Sequence, residues 1–262
     1  MLPAPQRGDD DVFRLDGRIA LVTGASRGLG WAMAQAFAQQ GAHVVLNARD
    51  AATLDARVAE IAALGGSAEA AAFDVTDTAA GEAAIGAVLA RHGRLDVLAA
   101  NAGIQHRSPI VDFPLEDFQR VIDTNLTAVW ALAKQAARVM LPARRGRIVI
   151  TGSMTGLAAR PTVSAYIASK GAVHALTRSL AVELGPSGIT VNCIAPGYFA
   201  TEMNTALVDD PKFDAWVVGR TPVGRWGRPQ EIGAAAVYLA SDEAAFVNGH
   251  TLVVDGGFTI AL

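Results

Sequence analysis

Ile19-Ala20-Leu21-Val22-Thr23-Gly24-Ala25-Ser26-Arg27-Gly28-Leu29-Gly30 decides the fold of this chain. A short apolar run enters three glycines spaced Gly-x-x-x-Gly-x-Gly, and a helical pattern follows at once. Glycines at a strand-to-helix turn let backbone approach a ligand closely, and the first turn of the helix offers unpaired N–H groups to a pyrophosphate. The spacing differs from the common Gly-x-Gly-x-x-Gly arrangement. On this reading Gly24, Ser26, Arg27, Gly28, Leu29 and Gly30 form a phosphate cradle. The alternative is a tight turn that binds nothing.

Working outward, short β-rich runs alternate with longer alanine-rich stretches. Strands are expected at 19–23, 43–47, 69–73, 97–100, 147–151, 190–194 and 251–254, and helices at 29–40, 51–64, 79–92, 115–141, 164–184 and 229–240. Several strands are apolar throughout, as happens when helices cover both faces of a sheet. Such alternation predicts an α/β protein: a single-domain Rossmann fold with a doubly wound, seven-stranded parallel sheet and helices on both faces. The domain is expected to span 14–262, behind a flexible tail at 1–13. The stretch 198–228 breaks the rhythm with prolines, glycines and the exposed-looking aromatics Phe213, Trp216 and Trp226. It reads as an irregular substrate loop near the carboxyl ends of the strands.

Composition narrows the function. Of 262 residues, 51% are hydrophobic and 18% charged, which describes a chain with a sizeable core. A net charge of −3 without a basic run argues against a nucleic-acid partner. Cys193 is the only cysteine, so no intrachain disulfide forms and a reducing, cytoplasmic location is expected. The five histidines show no metal-ligand spacing, so no metal site is expected. No signal-peptide core and no run approaching a spanning helix is present, so no membrane association is expected.

The end of the second strand bears on the cofactor. An acidic residue there binds the adenosine ribose 2′-hydroxyl and repels a 2′-phosphate. Here the strand ends in Asn47-Ala48-Arg49, and Arg27 stands in the glycine loop. Two guanidiniums near one phosphate favour NADP over NAD. Asp50 is placed to cap the next helix.

Tyr166 and Lys170 lie four residues apart, on one helix face. A fixed ammonium beside a phenol favours the phenolate and draws its pKa toward neutrality, where it becomes useful for acid/base work. Ser153 lies thirteen residues before Tyr166. Asn101-Ala102-Gly103 follows the fourth strand, Asn125 sits in the long helix, and Pro196-Gly197 follows the sixth strand with Thr201 beyond.

These motifs together resemble the short-chain dehydrogenase/reductase family, from about Arg14 to the C-terminus. The resemblance implies that Tyr166 exchanges a proton with the substrate oxygen, which Ser153 also binds. It implies that Lys170 holds the nicotinamide ribose and that Asn125 anchors a water leading to solvent. Asp74 and Val75 would contact adenine, and Asn101 and Gly103 would flank the adenosine. Pro196, Gly197, Phe199 and Thr201 would frame the nicotinamide. Structural roles compete: Ser153 as a turn cap, Asn125 as a helix-bending residue, Asp74 as a cap.

Segments such as Gln105-His106-Arg107, Ala159-Arg160-Pro161 and 196–203 are similar to the gluconate 5-dehydrogenases within that family. That similarity implies a small-molecule substrate, D-gluconate, converted reversibly to 5-keto-D-gluconate. A sugar acid needs a cation, for which Arg107 is the first candidate and Arg160 the second. The rivals are another polyol or keto-sugar reductase, a 3-oxoacyl-carrier-protein reductase docking through Lys134, Arg138, Arg144, Arg145 and Arg178, and a non-catalytic nucleotide-sensing protein. Small residues such as Ala128, Ala131, Ala172 and Ala175 on the long helices point to a homotetramer.

Overall fold

The computed structural model describes residues 12–261. Seven strands form one sheet: β1 (Ile19–Thr23), β2 (His43–Ala48), β3 (Ser67–Ala72), β4 (Val97–Ala100), β5 (Gly146–Thr151), β6 (Ile189–Pro196) and β7 (Thr251–Val254). Their order is β3-β2-β1-β4-β5-β6-β7 and every pairing is parallel. The helices are α1 (Gly28–Gln39), α2 (Ala51–Ala63), α3 (Thr78–His92), α4 (Leu115–Ile122), α5 (Ala128–Ala143), α6 (Ser164–Leu184), α7 (Thr205–Val208), α8 (Pro211–Arg220) and α9 (Pro229–Ala240).

The continuously apolar strands are explained by two cores. Ala20, Val22, Val97, Ala99 and Val149 pack with Met33 and Phe37 of α1 and with Ile232 and Ala236 of α9. Their neighbours Leu21, Leu98, Ile148 and Ile150 face the other way, onto Ile85 of α3, Leu132 and Met140 of α5 and Val173 of α6. Successive side chains of a strand point to opposite faces, so a strand covered on both sides is apolar throughout except where a polar side chain finds a hydrogen-bond partner.

Three expectations need correction. The helix at 115–141 is broken: α4 passes through a π-helical turn, Asp123–Thr127, before α5 begins. The stretch 198–228 is not irregular, because it folds into α7 and α8. Its ends are joined by a parallel bridge between Phe199 and Gly227, with the Gly227 N–H donating to the Tyr198 carbonyl at 2.9 Å. The aromatics there are largely covered. Tyr198 meets Phe213, Trp216, Trp226 and Phe258 edge-on at centroid distances of 5.6, 5.8, 5.6 and 5.2 Å. Trp226 is buried and donates to Asp214 at 2.7 Å; Trp216 stays 45% exposed. Residues 1–11 of the expected tail lie outside the described residues, and Phe13 packs edge-on against Tyr238.

The order of strands reverses direction between β1 and β4, which opens a crevice at their carboxyl ends. A polar knot closes the floor of that crevice. Asn101 Nδ2 donates to the carbonyl of Thr23 at 3.1 Å, and Thr23 Oγ1 accepts from the N–H groups of Asn101 and Ala102 at 3.0 and 3.1 Å. Thr151 at the end of β5 donates to Asn101 Oδ1 at 3.2 Å. Gly30 lies under the loop, where a Cβ would fall inside contact range of the Gly24 carbonyl oxygen and the Asn101 amide. Gly30→Ala should therefore destabilise the protein by about 1–3 kcal/mol through overpacking. Gly86→Ala, in an exposed helical position where a Cβ meets nothing, should stabilise it by up to about 1 kcal/mol. Thermal unfolding of the two variants checks both signs.

Candidate active site

A cleft of about 1100 Å³ runs along the carboxyl ends of the strands, from Arg49 and Asp74 beside β2 and β3 to Tyr198 and Leu207 beyond β6. Its glycine end has a backbone that could accept a phosphate. Gly24 and Gly28 hold φ of +64° and +59°, conformations that side chains rarely adopt. Arg27, the N-cap of α1, makes no side-chain cap hydrogen bond, so the first turn keeps its N–H groups for a ligand. The residues present fit a dinucleotide in volume, in backbone geometry and in charge.

Of the predicted site residues, all but Gly30 and Asn125 line this cleft. Arg49 stands exposed at its edge, 4.0 Å from Asp74. Asp74 accepts the N–H and hydroxyl of Thr76 at 2.9 and 2.8 Å. Those bonds hold its carboxyl below the usual range, against a smaller opposing effect of burial. Asp77, not Asp74, caps α3, and Asp50 caps α2. Asn47 is buried and bridges strands, donating to the carbonyls of Ala71 and Phe73 at 3.1 and 3.0 Å. Asn101 is likewise committed to the polar knot.

Sequence reading missed Arg57. It lies on α2, donates to the Ser26 carbonyl at 2.9 Å and stacks over Trp31 at 4.6 Å. It thereby adds a third guanidinium to Arg27 and Arg49 along the same wall. Its position eight residues beyond Arg49 on a helix gave no local cue.

At the other end, Lys170 Nζ donates to the Thr151 carbonyl at 2.7 Å and lies 5.6 Å from the centroid of the Tyr166 ring. Ser153 Oγ accepts from the Thr155 N–H at 3.1 Å and from the Thr155 hydroxyl at 2.8 Å. Ser153 thus does cap a 3₁₀ turn, Met154–Gly156. With both lone pairs filled, its own proton is the one left to donate, and it serves the Tyr166 oxygen, facing the cleft. Asn125 is fully buried in the π-helical turn. Its amide bridges both backbone groups of Ile104 at 2.8 and 2.9 Å and reaches Ser169 at 3.1 Å, so it fastens the loop after β4 to α6.

The electrostatics reverse one expectation. Burial pushes the Tyr166 phenol up and the Ser153 hydrogen bond only partly opposes it. Burial acts on Lys170 as well, lowering its pKa to about 8.

His174, one turn beyond Lys170 on α6, escaped the sequence reading. It is buried, and its Nε2 accepts the Ser153 N–H at 3.5 Å. Its ring fills the space that side chains on Gly152 and Gly156 would occupy. Burial, and then the charges of Lys170 and Arg178, hold its pKa down, which keeps it an acceptor. At the opposite end of the sheet His43, Glu69 and His92 converge to within 4.8 Å, a grouping that the sequence spacing hid. Glu69 there already accepts from Arg91 and from His92.

The fold and the cleft define a dinucleotide-binding α/β protein with a Ser-Tyr-Lys constellation. A family model described as enoyl-(acyl carrier protein) reductase matches residues 24–259, and the chain belongs to the short-chain dehydrogenase/reductase family of oxidoreductases. It is 46% identical over 252 residues to gluconate 5-dehydrogenase of Gluconobacter oxydans (strain 621H), covering 96% of this chain and 98% of that protein. It is 42% identical over 253 residues to 5-keto-D-gluconate 5-reductase of Escherichia coli (strain K12), covering 97% and 100%. A crystal structure of a gluconate 5-dehydrogenase from Burkholderia cenocepacia J2315 in complex with NADP and tartrate superposes with a TM-score of 0.93 at 44% identity, covering 96% and 99%.

The buried ammonium has a testable cost. Lys170 titrates lower in the fold (about 8) than in the open chain (10.5). The unfolded state therefore holds the extra proton between those values, and stability rises with pH across that window. Lys170→Met should raise stability at pH 7 by on the order of 3 kcal/mol at most, with the gain shrinking as pH climbs from 8 to 10.5 and activity lost throughout. Urea unfolding at pH 7 and pH 10 measures it.

Proposed function

We propose that this protein is an NADP-dependent oxidoreductase that interconverts a hydroxyl and a ketone on a sugar acid, D-gluconate and 5-keto-D-gluconate. The observation that carries the reading is Ser153, Tyr166 and Lys170 lining the inner end of a dinucleotide-wide cleft with two arginines, Arg107 and Arg160, on the same wall. The relatives named for gluconate chemistry, and the one crystallised with NADP and a dicarboxylic hydroxy acid, support it.

Bound NADP would supply or accept the hydride. Tyr166 exchanges the proton at the substrate oxygen, and its raised pKa keeps it protonated and ready to donate for ketone reduction. The Ser153 hydroxyl, turned from the Tyr166 oxygen to the substrate, orients the same oxygen. Lys170, one donor anchored on Thr151, directs its others at the nicotinamide ribose and the phenol. Asn125 holds the β4 loop against α6 and so sets the distance between cofactor and acid. Gly24, Ser26, Gly28 and Leu29 take the pyrophosphate. Asp74 and Val75 meet the adenine, while Gly103, Pro196, Gly197, Phe199 and Thr201 enclose the nicotinamide side. Arg27, Arg49 and Arg57 supply the positive field for a 2′-phosphate.

Of the five cations the carrier-protein reading required, Arg138 pairs with Glu82, Arg145 with Asp242, and Arg144 donates to the Pro186 carbonyl, while Lys134 and Arg178 form no ion pair among the described residues. No helix among the described residues is long and apolar enough to cross a membrane. A homotetramer fits the exposed Trp130 and Val182 on α5 and α6, and a cytoplasmic location fits a chain with a single, buried cysteine; a monomer by light scattering would contradict the tetramer.

Tyr166→Phe should lower kcat by roughly 10²–10⁴-fold while NADP binding, read by calorimetry, stays near wild type. Arg49→Ala should raise KM for NADP by about tenfold or more and leave KM for NAD unchanged. The reaction itself is tested by following NADP reduction with gluconate, other aldonates and simple polyols, and NADPH oxidation with β-ketoacyl thioesters. Preference for a thioester over 5-keto-D-gluconate would overturn the reading.

A further inference from the structure

Arg107 and Arg160 come from different loops, after β4 and after β5, yet line one cleft. Neither forms an ion pair with a carboxylate among the described residues. Two like charges brought together without a counter-charge repel, and the arrangement is favourable only when an anion joins them.

The scaffold that holds them is specific. Arg160 Nη1 donates to the Tyr198 hydroxyl at 2.7 Å, and its guanidinium stacks over Phe213 at 5.2 Å. Tyr198 is itself fixed inside the aromatic cluster of the α8 segment. That leaves the other donors of a planar fork, held at one orientation, for a ligand. The two loops are tied directly, since the Ser108 N–H donates to the Thr162 carbonyl at 2.9 Å. Thr162 holds φ of +70°, a conformation that costs a β-branched residue about 1–3 kcal/mol and persists only where the surroundings impose it. The strain falls two residues from one arginine and its bond one residue from the other.

We propose that Arg160, oriented by Tyr198 and Phe213, is the second arm of an anion subsite that with Arg107 grips the substrate carboxylate. This pair selects hydroxy acids over neutral polyols of the same length. The charges support the geometry: burial, and then the Arg160 charge, lower the pKa of Arg107, the effect that a bound carboxylate would reverse. Tyr198 acts as a positioning residue, because its hydroxyl is taken up by Arg160.

The subsite rests on the sugar-acid reading, so the test separates the two. Affinities of gluconate and D-glucitol are measured by tryptophan fluorescence with the protein loaded with NADPH, which cannot accept a hydride from either, and kcat and KM are measured separately with NADP. Arg160→Gln should weaken gluconate binding by about tenfold or more and D-glucitol by less than about twofold. Tyr198→Phe should weaken gluconate by a few-fold only, and Arg160→Lys should recover part of the loss, since charge survives but the fork does not. Gluconate that binds through Arg160 without being oxidised sinks the proposed reaction and leaves the subsite standing. Equal losses for acid and polyol, or unchanged gluconate affinity in Arg160→Gln, overturn the subsite whatever reaction the enzyme performs.

Discussion

Everything in the cleft depends on how the carboxyl ends of three central strands are tied together. Thr23, Asn101 and Thr151 end β1, β4 and β5, and their side chains bond across the sheet. A parallel sheet leaves the last backbone groups of each strand unpaired where the chain turns away, so such groups need side-chain partners when buried. Asn101 meets that need for Thr23, and its neighbour Gly30 keeps the glycine loop pressed onto the knot. The phosphate cradle, the loop carrying Arg107 and the loop carrying Ser153 are fixed relative to one another in this way.

The same burial that makes the site rigid sets its protonation states. Lys170 and Tyr166 are neighbours on α6 as their spacing requires, yet the phenol is raised and the ammonium lowered. Desolvation penalises each charged form and is the largest cause of both shifts. The resulting pair holds a protonated phenol beside an easily titrated amine. Thr155 fills the acceptors of Ser153 and leaves its proton to the Tyr166 oxygen, while His174 steadies its backbone.

The sequence could be read furthest where a signal is local. Strand positions followed from apolar runs, and the glycine loop from three glycines after the first of them; the helix at 164–184 matched α6 to the residue. Asp50 was recognisable as a cap from its place before a helix. The helix at 115–141 looked continuous because a π-helical turn inserts its extra residue without a glycine or proline to announce it. The aromatics of 198–228 looked exposed because their partners, Tyr198 and Phe258, lie far from most of them in the chain.

By itself the sequence determined the sheet and the glycine loop, encoded within a few residues by apolar runs and glycine placement, and put Tyr166 and Lys170 on one helix face by their i,i+4 spacing, whereas Ser153 was singled out only through the family resemblance. Tertiary structure alone decided the direction of the pKa shifts, the commitment of Asn47 and Asn101 to strand bridging, and the meeting of Arg57 with the glycine loop. It also decided that Arg160 is held by Tyr198 and shares a wall with Arg107. Desolvation and long-range contact depend on what the remainder of the chain brings alongside, and no short stretch of residues carries that information.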